Sequence, residues 1–150
     1  MDVSIRPARA DDIPQMCGLL ADLFSLESDF SPDREKQGRG LRLLLNDTSG
    51  SSAVFVAERD EKIIGMCSVQ VLISTAEGEN VGLLEDLIVK SNYRGRGIGT
   101  RLLSGIFAWC AAKNISRLHL LRDMDNEEAL KFYAGNGWSE TRLACMRRFL

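Results

Sequence analysis

The chain has 150 residues, 45% hydrophobic and 27% charged, with a formal net charge of −2 at pH 7. That length suits a single domain over 1–150 that can bury a core, and the near-neutral balance gives no support to nucleic-acid binding as the main task. No apolar run approaches the roughly 18 residues of a membrane span, and MDVSIRPA lacks the basic and apolar regions of a leader, so no membrane partner and a cytoplasmic location are expected.

In chain order, VSIRPA (3–8) reads as a strand. IPQMCGLLADLF follows with apolar residues at 13, 16, 19, 20, 23 and 24, which is helical spacing, and Asp11 or Asp12 is its expected cap. SLESDFSPD (25–33) is an acidic break carrying Glu27, Asp29 and Asp33, and a second helix is expected over about 34–45. AVFVAERD (53–60) and KIIGMCSVQVLI (62–73) read as an antiparallel hairpin, and VGLLEDLIVK (81–90) as a further strand. A helix is expected over about 97–113, a strand over 115–122 and a capped helix over 125–137 started by Asp125 or Asn126. The tail WSETRLACMRRFL offers one or two short strands. Strand–helix–strand over 81–121 implies a right-handed parallel crossover beside antiparallel strands, hence a mixed sheet with helices on both faces.

Cys17, Cys67, Cys110 and Cys145 are scattered, with no C-x-x-C and a single histidine. They read as small apolar core residues rather than a zinc site, so no metal is expected. His119 reads as a strand residue beside the core.

The densest chemical signal is NYRGRGIGTRLL (92–103), with Gly95, Gly97 and Gly99 at alternate positions just ahead of an apolar helix pattern. A glycine turn opening a helix presents amides without intrahelical partners at the positive end of the helix dipole, which is a phosphate site. The nucleoside-triphosphate loop G-x-x-x-x-G-K-[ST] fails because no lysine follows any of these glycines. The dinucleotide fingerprint fails because Thr100 stands where its third glycine belongs. The pattern Arg/Gln-x-x-Gly-x-Gly/Ala fits Arg94-Gly95-Arg96-Gly97-Ile98-Gly99 at every fixed position.

With that turn, the preceding LLEDLIVKSNYRG, the later DNEEALKFYAGNGW (125–138) and the opening IRPARADDIPQM, the chain resembles the GCN5-related N-acetyltransferase (GNAT) family over nearly its whole length. The resemblance implies a central mixed, mostly antiparallel sheet splayed after its fourth strand, and acetyl-CoA as donor. It places the pyrophosphate on Arg94, Gly95, Arg96, Gly97, Ile98, Gly99 and Thr100. The pantetheine arm falls to the backbone of Leu87, Ile88 and Val89, and Asn126 is either a helix cap only or a cap that also meets the cofactor.

Acetyl transfer to an amine must remove a proton, because an ordinary amine of pKa about 10.4 is neutral in only about one part in a thousand at pH 7. Glu85 and Asp86 sit mid-strand, where regular alternation would point them to opposite faces, and only a cavity or a salt bridge accounts for charge there. The L-E-D strand resembles the polyamine- and thialysine-acetylating branch, which implies Glu85 as base and Asp86 as a substrate contact; a structural ion pair is the competing reading for Glu85. Family resemblance makes Tyr133 the general acid near the coenzyme A sulphur, while Phe132 reads as a core aromatic. An acidic rim with Glu27 suits a small cationic amine as substrate. A protein N-terminal or lysine acetyltransferase is the alternative, and a non-catalytic acyl-CoA sensor is the alternative of another class. Homodimerisation is common in the family, and the sequence leaves it open.

Overall fold

The computed structural model describes residues 2–27 and 29–150, and the chain divides into two compact units that meet in sequence at Leu120/Leu121. The first unit holds β1 (Ser4–Pro7), a 3-10 turn (Ala10–Asp12), α1 (Ile13–Leu26), α2 (Arg34–Leu45), β2 (Ser52–Arg59), β3 (Lys62–Ser74), β4 (Glu79–Val89), a second 3-10 turn (Ser91–Tyr93), α3 (Ile98–Ala112) and β5 (Leu118–Leu120). The second unit carries α4 (Glu127–Gly135) and the tail.

The strands form one sheet in the order β1-β2-β3-β4-β5. The first three pairings are antiparallel and β4 pairs β5 in parallel, as the strand–helix–strand reading implies. The β2–β3 hairpin turns on Asp60 and Glu61, both with positive φ (49° and 59°), the geometry that follows a right-twisted ribbon. Gln15 fastens this end to α1: its Oε1 accepts from the Ile63 amide (2.9 Å) and its Nε2 donates to the Glu61 carbonyl (3.3 Å).

Alternation along the strands builds two core layers. Val54, Val56, Met66 and Ile88 join Met16, Cys17, Leu19, Leu20 and Leu41 of α1 and α2. On the other face lies α3, whose Leu102, Leu103 and Ile106 are fully buried. The Cys67 thiol points there, toward the Leu102 carbonyl (3.9 Å), and Gly65 leaves space beside Leu102 and Val89.

Local chemistry explains the helix starts. Asp33 caps α2 by accepting from the Lys36 amide (3.0 Å). Asp12 precedes α1 as expected, yet its carboxylate does not cap that helix. It accepts from the Arg9 amide (2.7 Å) and from both terminal nitrogens of Arg6 (2.8 and 2.9 Å), tying the end of β1 to the turn.

Three expectations need correction. The strand expected over 115–122 spans only Leu118–Leu120, because the Ile115 amide still bonds back to the Cys110 carbonyl of α3 (2.9 Å). The tail 138–150 forms no strand, and its Leu143, Met146 and Phe149 are exposed. Cys17, Cys67 and Cys110 are buried as expected, but Cys145 is exposed in that tail. Among the described residues no helix is long and apolar enough to cross a membrane.

Candidate functional site

The turn ahead of α3 is built for an anion. Gly95 (φ 71°) and Gly97 (φ 76°) both lie in the left-handed region, where a side chain costs roughly 1–2 kcal/mol. Gly97 is the cap residue of α3, and no side chain caps that end. The first helical bond runs from the Arg101 amide to the Gly97 carbonyl (3.0 Å), so the amides of Ile98, Gly99 and Thr100 precede the ladder and stay available. Nothing stands within 4 Å of where a Cβ would sit on Gly95 or Gly97, so the turn is open as well as bare. This cradle and its dipole fit a pyrophosphate.

The nearby arginines divide their work. Arg94 Nε donates to the Val89 carbonyl (2.9 Å) and holds the turn against the end of β4. Arg101 Nη2 donates to the Val3 carbonyl (2.7 Å), far away in sequence at the start of β1. Arg96 lies over the Tyr93 ring at 5.9 Å, with Arg59 at the same distance from that ring. Arg96 stands inside the glycine stretch itself.

The second feature is the far half of β4. β5 pairs only with Gly82, Leu83 and Leu84, so residues 85–89 have no strand on that side among the described residues. The edge of β4 is therefore uncovered after Leu84 among the described residues, and the backbone of Leu87, Ile88 and Val89 lies on it, where an extended amide-bearing chain could add as a strand. His119 sits on β5 opposite Leu83, as a strand residue.

The third feature lies where β4 leaves the regular ladder. Ser68 pairs with Glu85 and Met66 with Ile88, so Cys67 alone faces both Asp86 and Leu87. This is a β-bulge, and Asp86 adopts φ 56° to make it. Aspartate is one of the few residues that tolerates this region. The alternation read from sequence breaks here, so Glu85 and Asp86 do not simply point to opposite faces. Ser68 Oγ donates to the Glu85 carbonyl (3.2 Å), bracing the strand at the bulge.

Both side chains are partly buried, and neither has a hydrogen-bond or ion-pair partner among the described residues. The salt-bridge reading of Glu85 therefore has no partner here. Burial raises the pKa of Glu85. Asp86 is pushed up to about 7, first by burial and then by the negative charges of Glu85 and of Glu27 at the end of α1. The fold thus brings together three carboxylates that the sequence analysis named, from two elements 58 residues apart (85 − 27 = 58). They are not grouped as metal ligands: no set of three His, Cys, Asp or Glu side chains among the described residues could hold an ion.

In the second unit, Asn126 Oδ1 accepts from the Ala129 amide (3.0 Å), so its oxygen serves as the cap of α4. Tyr133 lies in the last turn of α4, edge-on to Phe132 (5.3 Å) and Trp138 (5.7 Å). The Trp138 amide folds back onto the Tyr133 carbonyl (3.0 Å), and Gly137 takes φ 87° to allow it. The bulge at Asp86 is the feature sequence reading missed. Its signal was two adjacent acids in an apolar strand, which a regular pleat cannot place comfortably.

A model of the acetyltransferase (GNAT) family matches residues 19–138. An uncharacterized N-acetyltransferase of Bacillus subtilis, YhfO, is 26% identical over 139 residues, covering 92% of this chain and 91% of its own length. Among solved structures, an aminoglycoside acetyltransferase from an uncultured soil metagenomic sample superposes with a TM-score of 0.79 at 25% identity, covering 99% of this chain and 96% of that one. A possible acetyltransferase from Clostridium difficile 630 reaches a TM-score of 0.84 at 21% identity over 99% of this chain and 97% of its own, which bears on the fold alone.

Proposed function

This chain belongs to the acetyltransferase (GNAT) family and is an N-acetyltransferase drawing on an acyl-CoA donor; from that premise we propose that it moves an acetyl group from acetyl-CoA to a primary amine of a small polycationic molecule. The observation that carries the acceptor class is the trio of carboxylates, Glu27, Glu85 and Asp86, at the bulge of β4. Ionised carboxylates shielded from water are costly without a cation, and Glu85 and Asp86 have no cationic partner among the described residues. An acceptor with two or more ammonium groups supplies that charge. Polyamines, diamino acids and aminoglycosides all qualify, and the likeness to an aminoglycoside acetyltransferase favours testing the last early.

The roles follow from chemistry and, for Tyr133 and Asn126, from the family resemblance. The donor, when bound, supplies an acetyl group activated as a thioester. The amides of Ile98, Gly99 and Thr100, with Gly95, Gly97, Arg94 and Arg96, hold its pyrophosphate, and the open edge of Leu87, Ile88 and Val89 pairs with its amide-bearing arm. The β4 carboxylates steer the ammonium in and remove its proton. Tyr133 donates a proton or hydrogen bond to the leaving sulphur, since a phenol of pKa about 10 and a thiol of about 8.5 are close enough for transfer. Asn126 joins the donor side through its amide nitrogen, because its oxygen is engaged in the cap. Residues 1–150 act in this reading as one N-acetyltransferase domain.

The test is free-thiol release from acetyl-CoA against polyamines, diamino acids, aminoglycosides and short peptides. Turnover with polycationic small molecules is the expected result. Turnover confined to peptides would replace this acceptor class by a protein substrate.

A further inference from the structure

We infer that Asp86, rather than Glu85, is the group that takes the ammonium proton of the acceptor, and that Glu85 and Glu27 hold its cationic nitrogens. The inference rests on the acceptor reading above and gives each carboxylate a separate task.

Geometry separates the two β4 acids. Glu85 still lies in the ladder: it pairs with Ser68, and its carbonyl takes the Ser68 hydroxyl. Asp86 is the residue the ladder skips, turned out by its left-handed backbone on the stretch of β4 that β5 does not cover. It is more deeply shielded than Glu85, and it alone of the pair feels both other carboxylates. The charged or titratable groups that face it are Glu85 on its own strand and Glu27 from α1; across on β3 stands the buried Cys67 thiol, directed to the Leu102 carbonyl. No lysine, arginine or histidine among the described residues acts on Asp86 to offset that effect. Such a carboxyl changes charge near neutral pH, at about 7, where a base is most effective for an enzyme working there. Glu85 and Glu27 flank Asp86 and offer carboxylate oxygens to the cationic nitrogens of the acceptor.

The step balances. An N–H bond of the ammonium breaks and its proton passes to the Asp86 carboxylate, leaving a neutral amine. The nitrogen lone pair forms the C–N bond to the acyl carbon as the C–S bond breaks. The second nitrogen proton ends on the leaving thiolate, and Asp86 returns its proton to solvent. The sum is ammonium plus acetyl thioester giving amide, thiol and one proton.

Asp86→Asn and Glu85→Gln test the division. Asparagine accepts a left-handed backbone as aspartate does, so the bulge itself does not resist the change. With an acceptor from the amine panel, wild-type kcat/KM should rise with pH through a limb centred near 7. Asp86→Asn should lower kcat about 10²–10⁴-fold and remove that limb, while the thermal shift given by acetyl-CoA stays that of wild type. Glu85→Gln should raise KM for the amine and move the limb to lower pH, because one like charge beside Asp86 is gone. Loss of the limb in Glu85→Gln with its retention in Asp86→Asn would overturn the inference. A second measurement needs no acceptor: 13C-carboxyl NMR of the unliganded protein. A resonance titrating near 7, absent in Asp86→Asn and shifted down in Glu85→Gln, supports it; an Asp86 resonance titrating in the ordinary carboxylate range overturns it. A panel without any acceptor would sink the acceptor reading alone, leaving these resonances to decide Asp86.

Discussion

Gly97→Glu is the sharpest perturbation of the donor site, and its two costs can be worked out separately. The residue sits at φ 76° with nothing within 4 Å of the added Cβ, so the protein itself offers no clash. What remains is conformational: a left-handed non-glycine residue costs roughly 1–2 kcal/mol. In a domain of this size each 1 kcal/mol moves the melting point by about 2–4 °C, so the unliganded variant should melt about 2–8 °C below wild type and still fold. The second cost falls on the donor. A carboxylate at the mouth of α3 repels the pyrophosphate and competes for the amides of Ile98, Gly99 and Thr100. Acetyl-CoA at about 100 times its Kd stabilises wild type by about 2.7 kcal/mol, and a 100-fold weaker site at the same concentration gains only about 0.4 kcal/mol. Scanning calorimetry with and without acetyl-CoA reads both quantities in one experiment. Gly18→Ala is the control, because Gly18 is exposed within α1 with open space around it and an ordinary φ, and alanine there should be neutral or stabilising by up to ~1 kcal/mol. A Gly97→Glu protein with the full wild-type thermal shift would refute the assignment of this turn to the donor phosphates.

Tyr133→Phe should lower kcat by about 10²-fold while the acetyl-CoA thermal shift persists; equal turnover in the two proteins would remove the hydroxyl from the reaction. Glu61→Gly should stabilise the fold by about 1 kcal/mol, read as a higher urea midpoint at unchanged m-value, since Glu61 holds φ 59° in the β2–β3 turn. Asp12→Asn should destabilise by about 1–3 kcal/mol at pH 7, because Arg6 then loses its two-pronged pairing with Asp12 and keeps only Glu58 as a carboxylate partner. The sign with pH is fixed: Arg6 holds Asp12 below its ordinary 3.8, so its contribution is complete above that value and disappears as pH falls through the lower folded pKa. Wild type and variant should converge in stability in acid, and a constant difference down to pH 2 would contradict the pairing.

Legibility in the sequence tracked the range of the forces involved. Helical spacing at Ile13, Met16, Leu19, Leu20, Leu23 and Phe24 placed the start of α1 at Ile13 and its end within two residues, because one buried stripe decides it. Gly95 and Gly97 were legible because their left-handed backbone and bare amides are local properties of the turn. The bulge was not legible: an extra residue in β4 is defined only against β3, and alternation read along one strand cannot register a slip relative to another. Leu84 and Ile88 therefore share parity yet serve opposite layers, with Leu84 beside Val69 and Ile88 beside Met66. The gathering of Glu27 with Asp86 was equally hidden, since it depends on where α1 ends over the sheet. Pairing decided β5 too, whose eight apolar-rich residues found only three partners on β4. Roles at Tyr133 and Asn126 came through family resemblance, because neither a helix cap nor an aromatic trio announces chemistry by itself.

Arg101 gives the helix proposed to hold the donor phosphates a second duty. β1 is only four residues long and forms an outer edge of the sheet, where unpaired amides and carbonyls invite another chain to dock. The guanidinium projecting from the first turn of α3 occupies the Val3 carbonyl just ahead of that strand. A single side chain thus ties α3 to the edge of the sheet, and neutralising Arg101 would release the Val3 carbonyl beside β1.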